Sequence, residues 1–219
     1  DALAAIDWDE AGWPRASILG HLQAGFDRAG FDMKRHLPAA AAAIRRGPDF
    51  QAAMAAFGAP SLVPGAWFGR LMDDPLLIRV LNYDIIVLEE FELLATHMRR
   101  ALLLDDVEAP LDFGLALAHQ AYLTEYVWTA SAKEADELYA MREQVPAEAP
   151  TLAILASYAP LSDWLDGAEN IAGLEPLVRQ QISEPAEEAE LAAAIPSLAP
   201  VSDGGSRAVK AQYEDNPLP

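Results

Sequence analysis

The chain contains no cysteine among its 219 residues, which excludes disulfides and thiolate chemistry. No apolar run approaches the roughly 18–20 residues that a membrane-spanning helix needs, and no secretory signal opens the sequence. We therefore expect a cytoplasmic protein with no membrane partner. Because Asp1 is not an initiator methionine, we expect it to be a processed or trimmed end.

Basic residues are scarce, and most of them lie in the first half. The sequence holds 15 Lys and Arg against 34 Asp and Glu, for a net charge of −19. Residues 1–100 carry 10 basic and 13 acidic side chains, whereas residues 101–219 carry 5 and 21. A field of this sign repels phosphate backbones and anionic lipids, so we expect no nucleic-acid partner. The negative charge favours a basic peptide or protein as a partner. The same charge would also keep the protein in solution without any partner.

Motifs that bind cofactors or perform catalysis are also lacking. The 13 glycines form no G-x-G, and the pair Gly204-Gly205 follows a segment rich in proline and serine rather than a strand, so we predict a hinge there. The histidines show no metal-binding spacing, and no serine has the strand-turn-helix context of a nucleophile. We therefore predict no catalytic residue, metal or cofactor in this chain; the four histidines are His21, His36, His97 and His119.

Helical periodicity is what the sequence does contain, with almost no strand signal. We predict an all-α fold, an array of about ten short helices without a sheet. Apolar residues follow Asp84 at steps of three and four, which predicts a helix capped by Asp84 and closed by Arg99 and Arg100. The stretch "DDPLLIRVLNY" predicts a shorter helix with Pro75 in its first turn.

Residues 131–145 predict a surface helix that begins with a capping box. Ser131 is followed three residues later by Glu134, the spacing at which the two side chains cap each other's backbone amides. Ala135, Leu138 and Met141 would form its inner face. Proline-bounded segments predict further helices at about 151–158, 170–182 and 185–194.

Residues 111–128 carry apolar side chains on every face, which predicts a central, mostly buried helix. Its polar and aromatic residues include His119, Tyr122, Glu125 and Tyr126. Such a cluster is typical of buried groups that hydrogen-bond to neighbouring helix ends. It also allows a second interpretation, an independent ligand-binding or enzymatic domain with Glu125 as an acid in the pocket. Both interpretations stay open.

The last residues, "SRAVKAQYEDNPLP", follow the pattern S-x-x-V-x-x-Q-Y-E-x-N-P-x-P. This stretch resembles one in a bacterial family of tetratricopeptide-associated class I SAM-dependent methyltransferases. Three earlier segments resemble others of that family in the same order: "LMDDPLLIRVLNYDIIVLEEFELLATHMRRALL", "FGLALAHQAYLTEYVW" and "ISEPAEEAELAAAIPSLAPVSD". The resemblance covers about residues 70–219. Thr124 stands where the family has asparagine and Leu218 where an aromatic residue is usual, and residues 1–65 lack a tetratricopeptide pattern.

The resemblance implies an all-helical accessory domain at residues 1–201, with an internal break near 58–65. Residues 202–219 would be a hinge and the start of a methyltransferase domain that continues beyond Pro219 and binds SAM. The accessory domain itself would recognise or regulate partners without catalysing the reaction. Tyr213 and Asn216 are then candidate contacts with the catalytic domain. The sequence makes no prediction of oligomeric state.

Overall fold

The computed structural model describes residues 15–26, 32–57, 65–105, 107–165 and 171–195. These ranges are helical and contain no strand, which confirms the predicted all-α fold. Within them, no helix has the length and apolar character that crossing a bilayer requires. The chain divides into two compact units, residues 1–183 and residues 184–219. The predicted boundary at 201/202 and most of the predicted break at 58–65 lie outside the described residues and stay predictions.

The helices are numbered in chain order. In the first unit they are α1 (Arg15–Phe26), α2 (Met33–Arg45), α3 (Pro48–Phe57), α4 (Ala66–Met72), α5 (Pro75–Leu81), α6 (Glu89–Leu104), α7 (Leu111–Leu123), α8 (Ala132–Glu143), α9 (Ala149–Leu155) and α10 (Glu175–Val178). A 3₁₀ turn spans Leu161–Asp163, and a π-helical turn spans Arg179–Ser183. The described part of the second unit consists mainly of α11 (Glu184–Ala194).

Local capping explains where several helices begin. The Asp74 carboxylate accepts hydrogen bonds from the backbone amides of Leu76 and Leu77, and Pro75 occupies the first helical turn as predicted. At α8 both bonds of the predicted capping box are present, one in each direction between Ser131 and Glu134. These signals act over two or three residues, so the sequence alone reveals them.

The start of α6 differs from the prediction. The helix begins at Glu89, whereas Asp84 lies in the preceding loop and accepts a hydrogen bond from the amide of Ile85. Glutamates fill the first turn of α6, where they interact favourably with the helix dipole. The helix also continues past Arg99 and Arg100 to Leu104, so these two residues do not close it.

Two apolar cores occupy the first unit, and α7 contributes to both. Leu117 packs in a core formed mainly by α1 to α7, while Ala118 packs in a second core with α9 and α10. At the close approach of α7 and α9, a Cβ atom on Gly114 would lie 3.1 Å from the Cβ of Ala153. The prediction that this segment forms a central helix is therefore confirmed.

The end of α7 lies five residues earlier than predicted. The helix stops at Leu123, and Glu125 and Tyr126 adopt left-handed backbone conformations with φ of 52° and 57°. The amide of Tyr126 donates to the carbonyl of Ala121 at 2.7 Å, which reverses the chain direction. Two consecutive left-handed residues without glycine are uncommon, and such conformations cluster at functional sites.

Candidate functional site

The predicted pocket residues lie at the end of α7, in a group that we call the Tyr126 corner (His119, Tyr122, Glu125, Tyr126). The rings of Tyr122 and Tyr126 meet edge to face with centroids 6.4 Å apart. His119 is half-buried, and Glu125 is exposed on the turn that follows the helix. That these residues form a ligand-binding pocket stays a prediction. The other two candidates, Tyr213 and Asn216, lie outside the described residues.

The Tyr126 hydroxyl is the unusual group of this corner. Its oxygen is buried and has no hydrogen-bond partner among the described residues. Burial raises the pKa of Tyr126, and the neighbouring Tyr122 and the carboxylate of Asp163 raise it further. The phenol is therefore neutral at physiological pH, where it can both donate and accept a hydrogen bond.

A second group of incompletely bonded atoms lies on the π-helical turn Arg179–Ser183. The side-chain oxygen of Gln181 accepts a hydrogen bond from the amide of Leu161 at 2.8 Å. Its amide nitrogen, and the side-chain oxygen of Gln180, are buried without a partner in the described part of the chain. Buried polar atoms normally have partners, and π-helical turns often occur at functional sites.

A buried arginine organises a different part of the first unit. Arg99 lies in the interior of α6 and is 1% exposed. Its guanidinium donates hydrogen bonds to the carbonyls of Ser157 at 2.9 Å, Trp128 at 3.2 Å and Thr129 at 3.5 Å. The same group lies 3.9 Å from the ring centroid of Tyr158. Arg99 thus joins α6 to the chain before α8 and to the chain after α9.

Tyr158 connects this guanidinium to a buried carboxylate. Its hydroxyl donates to Glu134 at 2.7 Å, and Glu134 is 3% exposed although it belongs to a surface helix. The other carboxylate oxygen of Glu134 accepts from the backbone amide and the hydroxyl of Ser131, at 2.8 and 2.6 Å. We call these six residues the Arg99 cluster: Arg99, Trp128, Ser131, Glu134, Ser157 and Tyr158.

Burial and the neighbouring groups shift the pKa values of Glu134 and Arg99 in opposite directions. Burial alone would raise the pKa of Glu134, but hydrogen bonds from Ser131 and Tyr158 and the charge of Arg99 outweigh it, so the pKa is lowered. Burial lowers the pKa of Arg99, which its neighbours Tyr158 and Glu134 partly offset. An arginine side chain still remains protonated in a protein. The cluster therefore contains one buried cation and one buried anion at neutral pH.

Gln120 on α7 is a buried polar residue without charge. We call it, together with the three residues whose backbone it contacts, the Gln120 clamp: Gln120, Leu81, Asp84 and Ile86. Its amide nitrogen donates to the carbonyls of Leu81 at 2.8 Å and Asp84 at 2.6 Å. Its side-chain oxygen accepts from the amide of Ile86 at 3.4 Å. The clamp satisfies backbone groups of the loop before α6, which explains why this loop does not continue as helix from Asp84.

Sequence reasoning missed the Arg99 cluster but contained a signal for it. Arg99 lies four residues after Ala95 and four before Leu103, so helical spacing places it on the buried face of α6. We instead predicted that it was a charge at the end of the helix. Glu134 was recognised as a capping residue, but its burial was not predicted, because Ala135 was assigned to the inner face and is in fact exposed.

Within the described ranges, no three His, Cys, Asp or Glu side chains form a group suited to holding a metal ion. The rings of His21 and His36 do approach each other, with centroids 6.2 Å apart. Their distance in sequence gave no indication of this contact.

Comparisons with known proteins identify no relative of this chain. No family model, no curated protein and no solved structure matches it. The fold and the local geometry therefore define the class of the protein: its described residues form an all-helical fold, and the Arg99 cluster and the Gln120 clamp are buried polar groups within it.

Proposed function

We propose that this chain is a non-catalytic helical accessory domain of a SAM-dependent methyltransferase, whose catalytic domain follows Pro219 in the same polypeptide. One observation carries the proposal: four segments that resemble the family occur in the family's order and end with "AQYEDNPLP". The accessory domain would present substrate to the catalytic domain or regulate it.

The described part of one of these segments supports a framework role. In "FGLALAHQAYLTEYVW", Gln120 clamps the loop before α6, Tyr126 turns the chain after α7, and Trp128 accepts a hydrogen bond from Arg99. These residues hold helices together, as the residues of an accessory framework would.

The partner that fits this domain best is a basic peptide or protein. Helix α11 carries four glutamates, Glu184, Glu187, Glu188 and Glu190, and no basic residue. An acidic helix attracts basic segments and increases their rate of association. We expect binding of a lysine-rich peptide to weaken as salt increases, and a peptide with the same affinity at low and high salt would contradict this choice of partner.

The gene downstream of Pro219 provides the decisive test. We expect it to encode a strand, a glycine-rich turn and a helix, which is the SAM-binding arrangement of this methyltransferase class. If no such segment follows, the proposal is wrong.

A biochemical test would use the full polypeptide with labelled SAM. We expect Tyr213→Ala and Asn216→Ala to reduce methyl transfer to the protein substrate if these residues join the two domains. Tyr139→Ala is a matched control, because Tyr139 is an exposed tyrosine on α8. Equal activity of all three variants would exclude a role for Tyr213 and Asn216 at the junction.

A second candidate function is an independent helical domain that binds a small polar ligand at the Tyr126 corner. The buried Tyr126 hydroxyl without a described partner favours it, since a ligand could supply the missing hydrogen bond. We would screen small polar compounds by thermal shift against the wild type and Tyr126→Phe. A ligand that stabilises only the wild type would support this function, and identical shifts for both proteins would exclude Tyr126 from the site.

A further inference from the structure

Helix α8 is attached to the first unit in an unusual way. Its one buried residue in the range Ala132–Glu143 is the carboxylate-bearing Glu134. Leu138 and Met141 are half-buried against the second apolar core, and Ala135 and Tyr139 are exposed. By comparison, α7 buries seven residues, none of them charged. Apolar burial therefore holds α8 less extensively than it holds α7.

Hydrogen bonds and charge supply the rest of the attachment. Tyr158 donates to Glu134, and the Arg99 charge lies behind the Tyr158 ring. At the other end of α8, the guanidinium of Arg142 lies 4.8 Å from the ring centroid of Trp164. The hydrogen bond from Tyr158 is directional, so a small displacement of the helix weakens it.

The capping box allows α8 to leave as an intact helix. The bonds between Ser131 and Glu134 are internal to the start of α8, so they persist when the helix separates from the core. Among the described residues, the Tyr158 bond and the proximity to Arg99 connect Glu134 to other segments of the chain. Separation would bring the Arg99 guanidinium and the Tyr158 ring into contact with solvent.

From this geometry we propose that α8 is a detachable helix, which the ionised Glu134 holds closed and which opens over Arg99 and Tyr158 when that carboxylate is neutralised or removed. The groups that face Glu134 are Arg99 from α6, Tyr158 from the chain after α9, and Ser131 from its own cap. Only the ionised carboxylate attracts the Arg99 cation, so the closed form is favoured above the pKa of Glu134. Because that pKa is lowered in the folded protein, closure persists at neutral pH and weakens as the solution becomes acidic.

Hydrogen–deuterium exchange on the whole chain tests this proposal. For Glu134→Ala we expect the amides of α8 to lose protection by about tenfold or more, because a hydrogen bond to a charged group is lost. The amides of α7 and α9 should keep theirs. Asp136→Ala is the matched control, since it removes an exposed carboxylate from the same helix.

Two outcomes of the exchange experiment would contradict the proposal. Unchanged exchange in α8, or an equal loss across all helices, would overturn the proposal. If Glu134→Ala does not fold, Tyr158→Phe decides the question, because it removes only the hydroxyl that binds Glu134. In Tyr158→Phe the amides of α8 should also lose protection selectively. If they exchange at the wild-type rate, the proposal is wrong.

Protonation gives a second readout that a purely structural role would not produce. After correction for the intrinsic effect of pH on exchange, α8 of the wild type should open progressively as the pH falls below the usual range for glutamate, about 4.3. Glu134→Gln should show no such dependence in α8. An identical pH profile for the two proteins would exclude Glu134 as the group that controls opening.

Discussion

Arg99 on α6 and Gln120 on α7 are both almost completely buried, yet they hold the chain in different ways. The Gln120 clamp is neutral, and both ends of its amide bond to backbone groups of one loop. The Arg99 cluster is charged and joins α6 to two other segments, through Ser157 and Trp128, while its Nε has no partner among the described residues. The Gln120 amide carries no titratable group, whereas the charged cluster depends on the ionisation of Glu134, whose lowered pKa keeps it charged at neutral pH.

The two groups differ in the free energy that is lost when their hydrogen bonds or charge partners are removed. A neutral amide that loses its bonds leaves backbone groups unsatisfied, which costs a limited amount of free energy. A buried charge that loses its partner costs more, because the remaining ion stays desolvated. Removing one partner of the charged cluster should therefore destabilise the protein more than removing the Gln120 amide.

Arg99→Met should have the largest effect on stability. It removes the donors to Ser157 and Trp128 and leaves Glu134 buried without its cation, so we expect a loss of about 3–5 kcal/mol in the free energy of unfolding. Urea denaturation measures this loss. Arg70→Met is the matched control, because Arg70 is exposed and pairs with Asp49 at 2.6 Å on the surface. Its midpoint should match that of the wild type within error, and an equal midpoint for both variants would contradict the role of Arg99.

The double variant Arg99→Met with Glu134→Gln sharpens this prediction. Removing the anion together with the cation eliminates the uncompensated charge, so the double variant should be more stable than the sum of the single losses implies. Additive losses would show that the two charges do not interact.

Gln120→Leu should have the next largest effect. It leaves the carbonyls of Leu81 and Asp84 without their donor, and we expect a loss of about 1–3 kcal/mol. Urea denaturation at neutral and at mildly acidic pH should give the same loss, because the lost hydrogen bonds join a neutral amide to backbone groups. Gln144→Leu, at an exposed glutamine, serves as the control. A loss that changes with pH would contradict the description of a neutral clamp.

The pH dependence of Glu134 should be a smaller effect. Because its folded pKa lies below the unfolded value, its contribution is fully present above the unfolded pKa and is lost as the pH falls through the folded pKa. Glu134→Gln lacks this contribution, so acidification should cost the variant less than the wild type by about 1 kcal/mol, which is the size of a single hydrogen bond. Denaturation series over pH measure the difference. Parallel curves would contradict the prediction.

Glu125→Gly should have the smallest effect and the opposite sign. Glycine adopts the left-handed backbone conformation at this position without steric cost, so we expect stability to stay equal or rise by up to about 1 kcal/mol. Glu137→Gly, in the interior of α8, should instead destabilise by about 1 kcal/mol. The thermal unfolding of each variant, compared with that of the wild type, measures the two changes in stability. A comparable loss in both variants would mean that the Glu125 carboxylate makes a stabilising contact.

Signals carried by neighbouring residues made much of the fold predictable. Asp74 with Pro75, and Ser131 with Glu134, are caps whose partners lie within three residues, so the corresponding helices begin near where the sequence indicates. The apolar faces of the segment after Pro110 likewise predicted a central helix. The start of α6 was predicted wrongly because Asp84 resembles a cap, while the group that holds its loop is Gln120, 36 residues away.

The candidate site was only partly predictable for the same reason. The contact between the rings of Tyr122 and Tyr126 was accessible to the sequence because the two residues are only four positions apart, although Tyr126 lies in the turn after α7 and not on the helix. It could not show that the Tyr126 hydroxyl is buried near Asp163, since that proximity depends on how the helices pack. Ligand binding at this corner and the role as an accessory domain stay predictions.

The sequence by itself determined that this protein is helical, acidic and without cysteine, and it indicated the starts of α5, α7, α8 and α11, because these properties depend on composition and on contacts within about one turn. Only the tertiary structure decided which polar side chains are buried together. Arg99 meets the carbonyl of Ser157 across 58 residues, and Tyr158 meets Glu134 across 24. Packing of the helices creates both contacts, because helical periodicity identifies a buried face but not the residues that face it.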